Sequence, residues 1–300
     1  MPVHWPELLS TLRRGEPVSG SPVGGGCIAN ARIAVFADGS EVFVKSTEAP
    51  GDMFRREAEG LQALAATGAI PVPAVLAVDD NALVLEKINP ARRSPDFSAT
   101  FGRRLARLHR HAGPACGFAH DNYIGLTPQI NQSLGGAWPG SLGEGPAAGD
   151  GADWPVFYLE RRLGYQAELA ARNGHGTDLV ALLRRAEPRI RGLLGQAIEP
   201  PGLLHGDLWG GNYLADESGQ ACLIDPAVYY GHREAELAMT RLFGGFDREF
   251  YAAYEAEWPL QPGHAERLPL YQLYHLLNHL NLFGRSYYAQ CERILKVFAR

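Results

Sequence analysis

Two hydrophobic periods divide this chain. In Glu41-Val42-Phe43-Val44-Lys45 apolar and polar side chains alternate, the period of a half-buried strand. The residues before it, SGSPVGGGCIANARIAVFADGS (19–40), break into strand, glycine turn, strand and a turn at Asp38-Gly39. Past residue 50 the spacing becomes three and four. Phe54, Ala58, Leu61 and Leu64 form one apolar stripe, which predicts a helix over 51–67 with Glu57 at the stripe's edge, placed to point inward. Pro71 and Pro73 end it, and 74–88 reads as two strands across an Asp80-Asn81 turn. A short amphipathic helix at 4–14, with Trp5, Leu8, Leu9 and Leu12 on one face, precedes all of this.

Pro90, Pro95 and Arg92-Arg93 mark a joint, after which helical spacing prevails. Phe97, Phe101, Leu105 and Leu108 predict a helix over 96–112; His109 and His111, which follow its arginines, read as surface or satisfied structural residues, because a metal pair at that spacing would sit on different faces. Residues 153–173 predict one long helix with Asp153 as N-cap and Pro155 in its first turn. Further helices are expected at 177–194, 236–246, 247–258, 266–288 and in the tail to Arg300. Residues 134–152, rich in Gly, Ala and Pro with Trp138 as their one large side chain, read as a flexible surface insertion. The fold expected is α+β and bilobal: a small antiparallel sheet with one helix over 1–88, then a mostly helical part over 89–300 around a small central hairpin.

Composition changes little. The chain is 46% hydrophobic and 20% charged, as ordinary globular proteins are, and its 300 residues suffice for two lobes. A net charge of −5 offers no field for nucleic acid or an anionic membrane. There is no signal-peptide h-region and no apolar run near the ~20 residues of a span, so the expected location is the cytoplasm. Cys27, Cys116, Cys222 and Cys291 form no CxxC or Cys/His cluster, which argues against zinc.

The chemistry concentrates in LLHGDLWGGNYLADESGQACLIDP (203–226). LLHGD reads as the end of a buried strand running into a loop, and CLID as a second short strand delivering an aspartate. Asp207, then Asn212 five residues on, then Asp225 eighteen residues after the first, follow the order of a kinase catalytic core: a base for the acceptor hydroxyl, then two oxygen ligands for Mg²⁺. His205 reads as a structural hydrogen-bonder that fixes the loop. The first 88 residues repeat the order of a kinase N-lobe: strand, Gly24-Gly25-Gly26, strand, Lys45, helix with Glu57, two strands. The glycines let backbone amides approach the ATP phosphates. Lys45 would pair with those phosphates and with Glu57, and backbone groups at Glu86, Lys87 and Ile88, where the chain passes between lobes, would hydrogen-bond adenine. Cys27, beside the glycine turn, is either a small apolar filler or an exposed, oxidisable thiol able to link a homodimer.

HGDLWGGN (205–212), IDPAVYYGHREAELAM (224–239) and FGGF (243–246) closely resemble the fructosamine kinase (ketosamine-3-kinase) family. So do GGGCI (24–28), VFVK (42–45), MFRREAEGL (53–61), YIGLTPQIN (123–131), LYQLYHLLNHLNLFG (270–284) and Ser286-Tyr287. HGD-x-x-x-x-N occurs across the wider aminoglycoside and choline kinase superfamily; the Trp209-Gly210-Gly211 filling and the DPA-x-x-YGHRE run are narrower. The resemblance implies a protein-kinase-like fold and ATP- and Mg²⁺-dependent phosphorylation of the sugar 3-hydroxyl of small-molecule or protein-bound ketosamines, which leads to deglycation. By position it gives Asp207 the base role, Asn212 and Asp225 the metal roles, and Lys45 with Glu57 the phosphate anchor. Trp209, next to the base, is either a stacking wall for the sugar or a core residue. The 134–152 segment departs from the family pattern, in which PQ-x-N runs directly to the next helix. Two other readings are an aminoglycoside- or choline-type kinase and a non-catalytic redox-sensing module of the same fold.

Overall fold

The structure, a computed structural model, describes residues 5–12, 16–22, 30–132 and 154–300. Gly24, Gly25, Gly26, Cys27, Asp153 and the 134–152 segment lie outside the described residues.

The first part is α1 (Trp5–Ser10), β1 (Pro17–Pro22), β2 (Asn30–Phe36), β3 (Glu41–Ser46), α2 (Met53–Thr67), β4 (Val75–Val78) and β5 (Ala82–Glu86). The strands form one antiparallel sheet in the order β1-β2-β3-β5-β4. Alternation explains its two faces. Val42 and Val44 meet Leu9, Ala34, Phe36 and Val84 on one side; Leu83 and Leu85 meet Phe54, Ala58 and Leu61 of α2 on the other. The expected turn at Asp38-Gly39 is present, with Gly39 at φ +80° and the Asp38 carboxylate accepting from the Ser40 amide at 2.8 Å.

The second part runs α3 (Phe97–His109), β6 (Asn122–Ile124), β7 (Thr127–Gln129), α4 (Trp154–Phe157), a π-helical segment (Tyr158–Gly164), α5 (Tyr165–Arg172) and α6 (Asp178–Leu194). It continues with β8 (Gly202–Leu204), β9 (Tyr213–Ala215), β10 (Ala221–Leu223), β11 (Tyr229–Gly231), α7 (Arg233–Leu242), α8 (Arg248–Glu257), α9 (His264–Phe283), a 3₁₀ turn (Arg285–Tyr287) and α10 (Tyr288–Phe298). Two departures from the pattern reading matter. The helix expected to run on from 153 contains a π segment in which Tyr158, Leu159, Arg161, Arg162, Leu163 and Gly164 are all buried, more than one α-helical stripe can turn inward. The strand before His205 does not pair with the strand before Asp225. Instead β8 pairs with β11, and β9 with β10, so the β9–β10 ladder is nested within the β8–β11 pair where one hairpin was expected. Of the two histidines at the end of α3, His109 is buried and hydrogen-bonded while His111 is exposed. Among the described residues no helix is long and apolar enough to cross a membrane, and no cluster of three His, Cys, Asp or Glu could hold a metal by itself.

Helix α9 carries a buried histidine whose Nδ1 finds no partner among the described residues, His275. Burial, reinforced by neighbouring His279, lowers its pKa from 6.5 to about 3. The folded protein therefore keeps it neutral where the unfolded chain takes up a proton. Its contribution is intact above about pH 6.5 and lost as pH falls toward 3, roughly 3 kcal/mol by pH 4. Urea unfolding from pH 7 to 4 should show His275→Leu losing less stability over that window than the parent; parallel curves would refute the account.

Candidate active site

Asp207 is delivered by β8. That strand ends at Leu204, and the loop His205-Gly206-Asp207 is pinned from below. Glu236 of α7 accepts from the His205 amide (2.9 Å) and the Gly206 amide (2.7 Å). His205 Nε2 lies 2.8 Å from the Ile224 carbonyl, and its Nδ1 accepts from the Asp207 amide at 3.3 Å. The second bond requires an unprotonated Nδ1, so His205 is the neutral Nε2–H tautomer and donates to Ile224. Its burial favours the same state by lowering its pKa. One ring thus ties the residue being delivered to the carbonyl just before Asp225, as the loop-fixing role expected of His205 requires.

The Asn212 amide nitrogen donates to the Asp207 carbonyl (2.8 Å) and to its carboxylate Oδ2 (3.2 Å). Oδ1 has no protein donor among the described residues. Burial first, and then the negative charge of Asp225, raise the Asp207 carboxyl to about 7. Asp225 is the one non-glycine residue with positive φ among those described, at +55°. That conformation costs on the order of 1 kcal/mol, strain of the kind held at functional sites. It turns a half-exposed carboxylate toward β3, where Lys45 Nζ stands 2.6 Å from Asp225 Oδ1 and 2.6 Å from Glu57 Oε1. Burial opposes the lysine's charge, but the two carboxylates outweigh it and hold the ammonium charged. Glu57 is raised by its own burial, because one ammonium shared between two carboxylates compensates neither fully.

Helix α2 is docked so that Glu57 faces this point. Tyr123 of β6 donates to Asp52 at 2.7 Å, Arg56 bridges Asp52 and Glu59, and a Cβ at Gly60 would come 3.0 Å from Val228. The segment after Asp225 is held in turn by side-chain amides: Gln129 donates to the Ala227 carbonyl (2.9 Å) and Asn122 to that of Val228 (2.8 Å). Pattern reading assigned none of Asp52, Asn122, Tyr123, Gln129 and Glu236 a role. For Glu236 the one signal in the sequence is weak, three charged residues crowded at 233, 234 and 236; the structure buries all three at the start of α7, where they serve internal partners.

The remaining expected residues divide. Glu86 is the last residue of β5, and Lys87 and Ile88 follow it. The Glu86 carboxylate accepts from the Ala74 amide, and the Lys87 ammonium pairs with Glu41 and Asn89, so both charged side chains are engaged within the protein. Trp209 is 40% exposed, which removes the core alternative. Its ring covers Gly211, where a Cβ would lie 2.4 Å from it, and Gly210 meets Gly245 of the FGGF loop so closely that a Cβ there would sit 2.6 Å from the Gly210 Cα. Trp209 therefore stands at the rim of the Asp207 loop.

The fold is that of the protein-kinase-like phosphotransferases. The aminoglycoside phosphotransferase APH(2'')-IIa, solved with streptomycin and ATP, superposes with a TM-score of 0.60 over 100% of this chain and 97% of its own at 12% identity, a likeness of fold alone. Within that class this chain belongs to the fructosamine kinase family, whose sequence model matches residues 8–139 and 146–300; the break falls inside the glycine-rich 134–152 segment. A probable ketoamine kinase from Synechocystis sp. is 39% identical over 99% of this chain and 98% of its own length. The chloroplastic protein-ribulosamine 3-kinase of Oryza sativa subsp. japonica is 38% identical over 98% of this chain and 83% of its own. The crystal structure of a fructosamine-3-kinase candidate from Thermobifida fusca has a TM-score of 0.83 at 32% identity, covering 98% and 97% of the two chains.

Proposed function

We propose that this protein is an ATP-dependent ketosamine 3-kinase, with residues 1–88 as the nucleotide lobe and 89–300 as the catalytic lobe. The observation that carries the chemistry is the meeting of Lys45, Glu57 and Asp225 within 2.6 Å contacts, beside an Asp207 already bonded to Asn212. The acceptor rests on the family and on relatives named ketoamine kinase and protein-ribulosamine 3-kinase.

Asp207 Oδ1 takes the proton of the sugar 3-hydroxyl. The hydroxyl oxygen forms its bond to the γ-phosphorus of ATP while the bond from that phosphorus to the β–γ bridging oxygen breaks, and ADP leaves with the electron pair. Lys45, held by Glu57, places a fixed positive charge against the phosphates. The residues present fit Mg²⁺. Asn212 has its amide nitrogen committed to Asp207, which leaves its Oδ1 free to hold a cation, and Asp225 keeps Oδ2 beside the oxygen paired with Lys45; both are the hard oxygens that Mg²⁺ prefers, so these two residues would hold it. When bound, the ion neutralises charge on the transferring phosphoryl group. Trp209 offers its exposed ring as a stacking wall for the sugar, and backbone groups at Glu86, Lys87 and Ile88 hold adenine.

The test is a panel of ribulosamine, fructosamine, aminoglycoside and choline acceptors, with ADP release followed and the phosphate position read by NMR. Ketosamines should be consumed and carry phosphate on the 3-oxygen. Equal turnover of an aminoglycoside or choline, or phosphate at another carbon, would overturn the acceptor assignment.

A further inference from the structure

We infer that Tyr123, Asp52, Arg56, Glu59 and His120 form a polar latch between the two lobes, which positions the phosphate anchor by keeping Glu57 of α2 in register with Lys45. The inference rests on reading Lys45 as the group that binds the nucleotide phosphates. Asp52, just before α2, and Arg56 and Glu59 within it stand at i, i+4 and i+7, one line along the helix. Arg56 occupies the middle of that line: its Nε donates to Asp52 Oδ2 at 2.9 Å and its Nη1 to Glu59 Oε1 at 2.8 Å. Each end then crosses to the second lobe. The Tyr123 hydroxyl donates to Asp52 Oδ1 at 2.7 Å, and His120 Nδ1 lies 3.1 Å from Glu59 Oε2. Because a carboxylate only accepts, His120 carries a proton on that nitrogen. The Tyr123–Asp52 bond is the main influence on both its partners, raising the phenol to about 12 and lowering the carboxyl.

The rest of α2 is held by apolar packing. Phe54, Ala58 and Leu61 lie on the sheet of the first lobe, while Leu64 belongs to a core cluster with Leu223 and Val228 of the second. Leu64 thus pins one end of the helix across the lobes and the latch pins the other, with Glu57 between them. The second-lobe side of the latch is stiff. Asn131 donates to the His120 carbonyl at 3.1 Å and accepts from the buried Arg162 at 2.7 Å, and β6, which carries Tyr123, pairs with β7. Lys45 also bonds Asp225 across the cleft, but with ATP bound the phosphates claim the ammonium and that tie between the lobes weakens. The latch uses no residue assigned to the nucleotide, so it keeps its hold in the state in which the anchor works. Arg55, the neighbour of Arg56, serves its own lobe instead, pairing with Asp80 at 2.6 Å.

The test measures ADP and adenosine affinity by calorimetry in the full chain, with KM and kcat alongside, for Tyr123→Phe, Glu59→Ala, the two combined, Arg55→Gln and Lys45→Met. Each latch variant should weaken ADP about threefold and the two together about tenfold, the worth of half-exposed polar contacts. Adenosine, which has no phosphates for Lys45 to grip, should bind as it does to the parent. The KM for ATP should rise by the same factors, with kcat and the KM for ketosamine within about twofold, because an anchor that holds the phosphates before and during transfer changes binding uniformly. Lys45→Met removes the anchor and should itself weaken ADP about tenfold; adding Tyr123→Phe to it should change nothing further. Arg55→Gln, on the same helix without a cross-lobe contact, should bind ADP as the parent does. Either latch variant decides the matter if the other fails to fold. Parental ADP affinity in the latch variants, an equal loss of adenosine, or an equal loss in Arg55→Gln would overturn the latch. Parental ADP affinity in Lys45→Met would instead overturn the reading of Lys45 as the phosphate anchor.

Discussion

Asp207→Asn is expected to lower kcat on a ketosamine by about 10³-fold, with the KM for ATP little changed. The substitution keeps the volume, and an asparagine oxygen can still accept from Asn212, so the loop should survive it. What it removes is the proton acceptor. In the parent, Asn212 holds Oδ2 at 3.2 Å and leaves Oδ1 for the acceptor hydroxyl. Burial and the nearby Asp225 charge bring that carboxyl to about 7, in the range where a base is both deprotonated and able to hold a proton. Phosphoryl transfer draws most of its acceleration from positioning and charge, which Lys45 and Asp225 still supply in the variant. That is why the loss should stop near 10³ and not reach the uncatalysed rate. Single-turnover phosphate transfer measured under saturating ATP would decide it; full turnover on every ketosamine tried would sink the assignment of Asp207.

The parts of this site that sequence showed are the local ones. Asp207, Asn212 and Asp225 lie within one short stretch, and their spacing alone selected kinase chemistry. The Lys45–Asp225 contact joins residues 180 positions apart, which no period reports; the order of elements in the first 88 residues suggested only the pairing of Lys45 with Glu57. Periodicity found β3, α2 and α3 because each buries one clean face. Short apolar runs marked β8 and β10 as well but not their pairing: every position of these three-residue strands is buried, so no register signal points to β11 and β9 as their partners. Periodicity failed at Tyr158–Gly164, where consecutive inward-facing side chains demand a wider turn. Glu236 escaped because a stripe argument places glutamate outside. Two of its partners are backbone amides, which any sequence offers everywhere, and the third, His109, lies 127 positions away.

Gly206→Ala should be the most damaging small substitution in the protein, costing about 4 kcal/mol and abolishing turnover. Two independent penalties add. Gly206 sits at φ +87°, which an alanine adopts only under strain, and its new Cβ would lie 1.9 Å from the Ala227 carbonyl oxygen. That oxygen cannot yield. It is backbone, it accepts from Gln129 at 2.9 Å, and the Ala227 amide donates to the His205 carbonyl at 2.8 Å, so the DPA segment and the HGD loop are locked face to face. Moving either one separates Asp207 from Asp225. Gly39→Ala is the control. Its φ is +80°, but nothing lies within 4 Å of a Cβ there, so it should cost only about 1 kcal/mol and leave kcat unaltered. Urea unfolding of the two variants separates strain from overlap. Equal losses would mean that backbone conformation alone, and not the contact with Ala227, makes glycine necessary before the aspartate.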